Sequence, residues 1–162
     1  MSAAEKVVAR DALLRRLAPL RQAGRTVALA NGLFDLLHVG HLRYLEDAAK
    51  EADLLVVAVN ADTSARALKG PGRPIVPEGE RAELIAGFGC VALVTIFDEQ
   101  SVEALLRSLR PDVHCKGTDY TAETVPERAV ARALGIRVAI VGDPKSHATR
   151  DLVARIRTQT AE

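Results

Sequence analysis

The sequence has no tryptophan, one methionine, two tyrosines, three phenylalanines and two cysteines among its 162 residues. With so few aromatics, its core has to be built from alanine, leucine and valine, as in an ordinary soluble α/β domain. Cys90 and Cys115 lack CxxC spacing and fall beside or within expected strands, so they read as buried free thiols rather than a disulfide or a zinc site. Neither sign of charge dominates, since 22 basic residues face 21 acidic ones for a formal net charge of +1. No overall field recruits nucleic acid or an anionic membrane, and any anion site has to be local. No apolar run approaches the ~20 residues that cross a bilayer. The N-terminus shows no basic segment leading into an apolar stretch and a small-residue cleavage site. The expectation is a cytoplasmic protein without nucleic-acid or membrane partners. Repeats, low-complexity tracts and linkers are absent too, and the length suits one core.

What is present is 48% hydrophobic and 27% charged, in a pattern that changes period along the chain. Between Glu5 and Leu20, Val8, Leu13, Leu14, Leu17 and Leu20 recur among charged residues, which predicts an amphipathic helix ended by Pro19 and Gly24. Residues 1–23 thus form an N-terminal helical extension, expected to pack on the sheet edge or on a second subunit, ahead of a single domain over 24–162. Strands are expected at Thr26–Ala30, Leu54–Asn60, Val91–Phe97, Asp112–Cys115 and Ile136–Val141. Helices are expected after His38, over Glu78–Phe88, Gln100–Leu109 and Val125–Leu134, and from Thr149 to about Thr158. Lys69–Pro77 is a loop, because its prolines and glycines remove donors and free the backbone. Strands alternating with helices give an α/β fold, a doubly wound five-stranded parallel sheet with helices on both faces. In such sheets ligands gather at the carboxyl ends of the strands, near the switch point in strand order.

The run Asn31-Gly32-Leu33-Phe34-Asp35-Leu36-Leu37-His38-Val39-Gly40-His41 lies where the first strand gives way to a helix bearing Leu42, Leu45, Ala48 and Ala49. Asn-Gly alone would be a turn, but a phosphate-binding turn accounts for Gly32, His38, Gly40 and His41 together. If the helix begins near Val39 or Gly40, both imidazoles face its N-terminus. Unpaired backbone N–H groups and the positive dipole end attract phosphate oxygens there. Asp35 is the local carboxylate, suited to orienting a histidine or a metal-bound water, or to a structural turn.

This run resembles the signature of the nucleotidyltransferase superfamily whose core is the HxGH motif, and the resemblance covers nearly all of the chain beyond Ala23. It implies a Rossmann-like domain in which His38 and His41 are catalytic, holding the triphosphate and offsetting charge as the α-phosphorus is attacked. Asn31, Gly32, Phe34, Asp35 and Gly40 would bind the nucleotide around them, and Mg²⁺ would accompany the triphosphate with no protein ligand assigned. Leu68–Val91 is similar to the corresponding segment of the heptose-phosphate nucleotidyltransferase branch, which implies a catalytic phosphate contact for Lys69 and substrate contacts for Arg73 and Arg81. Cys115–Tyr120 resembles that branch's Lys-Gly-x-Asp-Tyr loop and puts Lys116, Gly117 and Asp119 beside the nucleotide. Ser146–Leu152 stands where the superfamily has a Ser/Thr-rich helix start gripping the β- and γ-phosphates. Here Ala148 and Arg150 flank Thr149, so hydroxyls are fewer, and Arg150 or His147 would substitute as a donor.

The implied reaction transfers AMP from ATP to a sugar 1-phosphate, heptose 1-phosphate in that branch, giving ADP-heptose and pyrophosphate by in-line attack. A phosphate oxygen is already nucleophilic, so positioning and charge neutralisation suffice and no general base is assigned. A cytidylyltransferase using CTP and glycerol 3-phosphate, or another small phosphate or phosphonate, carries a nearly identical signature. A reading from another class is a nucleotide-binding module without turnover, supported only by the altered Ser146–Arg150 segment. The resemblance also implies a homodimer.

Overall fold

The computed structural model of the chain describes residues 1–144 and 146–160, so the last two positions of the expected domain lie outside the described residues. Val27–Gly32 (β1), Leu54–Asn60 (β2), Leu93–Phe97 (β3), Val113–Gly117 (β4) and Arg137–Val141 (β5) form one parallel sheet in the order β3-β2-β1-β4-β5. The helices are Ala3–Lys6 (α1), Arg10–Gln22 (α2), Val39–Ala49 (α3), Asp62–Lys69 (α4), Glu78–Ala86 (α5), Glu103–Leu109 (α6), Arg128–Ala133 (α7) and Thr149–Gln159 (α8).

Alternation along each strand divides the core in two. Ala28 and Ala30 face Leu45 and Ala48 of α3 and Ala82, Ile85 and Ala86 of α5. Val27 and Leu29 face Leu13 and Leu17 of α2 and Leu105, Leu106 and Leu109 of α6. Both faces are covered, which is why the central strands read as continuous apolar runs. The sheet and its five strands are as expected, with Rossmann-like parallel topology. No helix among the described residues is long and apolar enough to cross a membrane. Cys115 is buried, Cys90 is only half-buried, and both are free thiols.

The N-terminus departs from the expected single helix. Val7 and Val8 leave the helical path to extend beside β3, where Val7 bridges Val94 and the Val8 amide donates to the Val94 carbonyl at 2.9 Å. α1 and α2 flank this break. Pro19 does not end α2, which runs on to Gln22; the proline is exposed, so the helix donor it lacks is lost on a water-facing side. Leu13 and Leu17 are fully buried in the chain's own core, so the apolar stripe of α2 covers its own sheet. α4 was not legible, since its buried positions are only Ser64 and Ala65, too small to give an apolar period.

β1 pairs with β2 on one side and β4 on the other. The strand order reverses there, opening a crevice at the carboxyl ends of β1 and β4.

Candidate active site

A cleft of about 730 Å³ fills that crevice. The turn from β1 into α3 forms one wall, and its sequence explains its shape. Phe34 adopts φ +52°, a left-handed conformation that is costly for a bulky residue. It sets the ring edge-on to His41 at 5.5 Å. A Cβ on Gly32 would sit 3.2 Å from the Phe34 ring, so the glycine leaves room for it.

His38 is the N-cap of α3. Its Nδ1 accepts from the Gly40 amide at 3.2 Å, while His41 Nδ1 accepts from the His38 amide at 3.3 Å. The two rings stack with centroids 3.9 Å apart. A Cβ at Gly40 would meet the His38 ring at 3.0 Å, which accounts for the second glycine of the motif. With each Nδ1 lone pair engaged by a backbone N–H, the neutral rings carry their protons on Nε2. The motif therefore stacks two imidazoles, each with Nε2–H as its donor, at a helix N-terminus bordering the cleft, a combination suited to phosphate oxygens.

Asp35 is 3% exposed and takes the structural one of its expected roles, since its contacts are to the following loop rather than to a histidine. Oδ1 accepts from the Ile75 and Val76 amides; Oδ2 accepts from Ile75 and, at 2.8 Å, from Arg73 Nε. All four acceptor directions are thus spent on the loop that follows α4. Burial alone would raise its pKa, but the Val76 and Ile75 amides and the Arg73 guanidinium outweigh that and hold it below the usual carboxylate value. Asp35 clasps the loop and sets where Arg73 lies.

Arg81 requires the clearest correction. It is fully buried and, alone among the expected site residues, does not line the cleft. Its guanidinium donates to the Val76 and Leu33 carbonyls and to Asp62 Oδ1. It binds the loop, the β1–α3 turn and α4 together rather than facing a substrate.

The opposite wall comes from β4 and β5. Lys116 is 8% exposed, lies 3.6 Å from Glu127 Oε2, and sits 4.8 Å above the Tyr120 ring. A Cβ on Gly117 would meet nothing within 4 Å, so the backbone there borders open cleft. Thr118 Oγ1 donates to the Asp143 carbonyl, joining this loop to the one after β5. Gly142 takes φ +90°, and a Cβ there would approach Tyr44 Cα at 3.2 Å; Tyr44 in turn donates to the Cys115 carbonyl at 2.8 Å. Thr149 Oγ1 donates to the Leu36 carbonyl at 3.1 Å, so its hydroxyl proton ties α8 to the histidine turn instead of standing ready for a phosphate. His147 brings its ring to 6.1 Å from His38. Arg150 lines the cleft but is highly exposed beside Asp151.

Asn31, Lys69 and Asp119 line the cleft as well, Lys69 on its exposed rim at the end of α4. Tyr44, His114, Glu127 and Gly142 were not anticipated. Only His114 left a trace, a polar residue interrupting an apolar strand. Among the described residues no group of three or more His, Cys, Asp and Glu side chains is placed to hold a metal ion. Asp35 is already saturated, so Mg²⁺ fits this cleft as the companion of phosphate oxygens rather than in a protein cage.

Residues 29–156 match the family described as cytidylyltransferase-like. The chain is 42% identical over 151 residues to the bifunctional protein HldE of Syntrophotalea carbinolica, covering 93% of this chain and 31% of that protein. It is 43% identical over 156 residues to the bifunctional protein HldE of Acidiphilium cryptum, covering 96% and 32%. The chain spans about a third of the length of these relatives. A crystal structure of a lipopolysaccharide core biosynthesis protein from Thermoplasma volcanium superposes with a TM-score of 0.65 at 26% identity, covering 75% of this chain and all of that one.

Proposed function

The chain belongs to the cytidylyltransferase-like family and is a nucleotidyltransferase, and we propose that it transfers AMP from ATP to a sugar 1-phosphate, heptose 1-phosphate, releasing ADP-heptose and pyrophosphate. The observation that carries the reaction class is the stacked His38–His41 pair capping α3 at the switch point of the sheet. ATP places its α- and β-phosphates over that N-terminus, where the two Nε2–H groups donate to oxygens that gain charge as the α-phosphorus is attacked. Lys69 and Arg73 approach from the loop side and Lys116 from the β4 side, so cations flank the path of the second phosphate. Mg²⁺, when bound to the triphosphate, supplies further charge neutralisation. The sugar phosphate oxygen attacks in line, its own negative charge making a general base unnecessary. The choice of ATP and a heptose rests on the similarity of the Lys69–Arg73 and Lys116–Tyr120 loops to the heptose-phosphate branch, and on the likeness to HldE proteins.

The test is pyrophosphate release from ATP and CTP, each against heptose 1-phosphate and glycerol 3-phosphate. ADP-heptose is the expected product. CDP-glycerol without ADP-heptose would overturn the substrate assignment, and ATP binding without release on any pair would leave a binding module. His41→Ala is expected to lower kcat by about 10²–10³, the range for removing one preorganised donor, while circular dichroism stays that of the parent. A kcat within twofold of the parent would refute the role of the pair.

A further inference from the structure

His114, the second residue of β4, is fully buried and does not itself line the cleft, but it reaches Asn31, which does. The β1–β4 register pairs it with Leu29, which places Asn31 two residues further along the same face. The His114 Nε2 and Asn31 Oδ1 lie 2.9 Å apart, and His114 Nδ1 has no hydrogen-bond partner.

These contacts decide the tautomer. A proton on Nδ1 would be an orphaned N–H in the interior, which folded proteins rarely tolerate, whereas an unmatched lone pair costs less. The proton therefore sits on Nε2 and is donated to Asn31 Oδ1. Burial first, and the charge of Lys116 second, push the imidazole pKa down to about 3, so the ring stays a neutral donor at working pH. With Oδ1 engaged, what Asn31 turns to the cleft is the Nδ2 amide. A donor is what phosphate requires there, since phosphate oxygens only accept. Without the imidazole the amide is free to rotate and present its oxygen, which would repel the same ligand.

We propose that His114 is a positioning residue for nucleotidyl transfer, locking Asn31 so that its Nδ2 donates to a phosphate oxygen of the nucleotide or of the sugar phosphate. The role rests on the proposed function only in the identity of those ligands. Two measurements test it. Nitrogen-15 NMR of the unmodified protein is expected to show His114 as the Nε2–H tautomer, unchanged between pH 7.5 and 5.5; an Nδ1–H tautomer overturns the proposal.

The second is a double-mutant cycle of His114→Leu with Asn31→Ala, read as affinity by calorimetry for ATP and for heptose 1-phosphate separately. Each single change is expected to weaken one of the two ligands about tenfold, the loss of one hydrogen bond, and the double change no more than either. Whichever ligand responds identifies the phosphate that Asn31 contacts. His114→Gln, whose amide can also donate to Oδ1, is expected to recover most of the loss. Additive losses, or unaltered affinity for both ligands in a folded His114→Leu protein, overturn the role. A parent protein that releases no pyrophosphate would sink the enzymatic reading alone, because the tautomer and the affinity cycle do not depend on turnover.

Discussion

Asp35 accepts from the Ile75 and Val76 amides and from Arg73 Nε, so protonating it disconnects the loop that carries Arg73 from the turn that carries His38. The pH at which this happens follows from linkage. The folded carboxyl titrates below its ordinary value, so its contribution to stability is complete above the unfolded pKa of roughly 4. The contribution is lost as pH falls below that and through the folded value. Thermal melts between pH 7 and pH 3 are expected to show the parent losing stability below about pH 4. Asp35→Asn is expected to be about 1–3 kcal/mol less stable at pH 7, the cost of unmatched buried donors, and to lose less than the parent on acidification. Parallel pH profiles for the two proteins would show that the clasp is not what Asp35 does. Because Arg73 hangs on the same carboxylate, the variant is also expected to raise KM for the sugar phosphate more than it lowers kcat.

At the scale of elements, Arg81 of α5 does for the loops what Asp35 does within one of them. Its bonds to Val76, Leu33 and Asp62 hold the loop, the β1–α3 turn and α4 in register around a side chain with no exposure. Arg81→Met would leave two carbonyls and a carboxylate short of a donor. It is expected to cost about 2 kcal/mol, because the two carbonyls lose their donors while the Asp62 carboxylate is 34% exposed and can turn to water, or roughly 4–8 °C in Tm for a chain of this length. A melting shift under 2 °C would contradict the assignment. The sequence marks Arg81 as a cation near the site without revealing which way it points, because the loop that buries it folds back over α5 through Asp35, a contact 40 residues distant in the chain. What local pattern could convey was conveyed. The strands were legible because two covered faces demand apolar runs, and the histidine turn because its glycines answer to close approaches at Phe34 and His38. Thr149 shows the other limit: its place at the start of α8 was legible, but its bond to Leu36, 113 residues away, was not.

For the whole molecule, the two walls of the cleft belong to the two halves of the sheet. β2 and β3 lie on one side of β1, and β4 and β5 lie on the other, and the cleft is lined by Lys69 and Arg73 from beyond β2 as well as by residues that follow β4 and β5. Under the proposed function, a triphosphate seated over α3 would touch both halves, and its binding free energy would stabilise the fold as a unit. A net charge of only +1 means that this coupling comes from local cations rather than from an overall field. At about 100 times Kd, a ligand that binds only the folded state adds ~2.7 kcal/mol, which for a chain of this size is roughly 5–11 °C in Tm. ATP is expected to give such a shift, whereas AMP, which lacks the β- and γ-phosphates, should give much less at the same concentration. Replacing both His38 and His41 with Ala should bring the ATP shift down towards that of AMP. Raising the salt to 1 M, where screening acts within about 3 Å, should trim the ATP shift at the exposed Lys69 and Arg150 but spare the part owed to the half-buried histidines. Equal shifts from ATP and AMP, measured by calorimetry on the parent protein, would mean that the nucleotide is held by its nucleoside end and that the capping histidines are not the phosphate site.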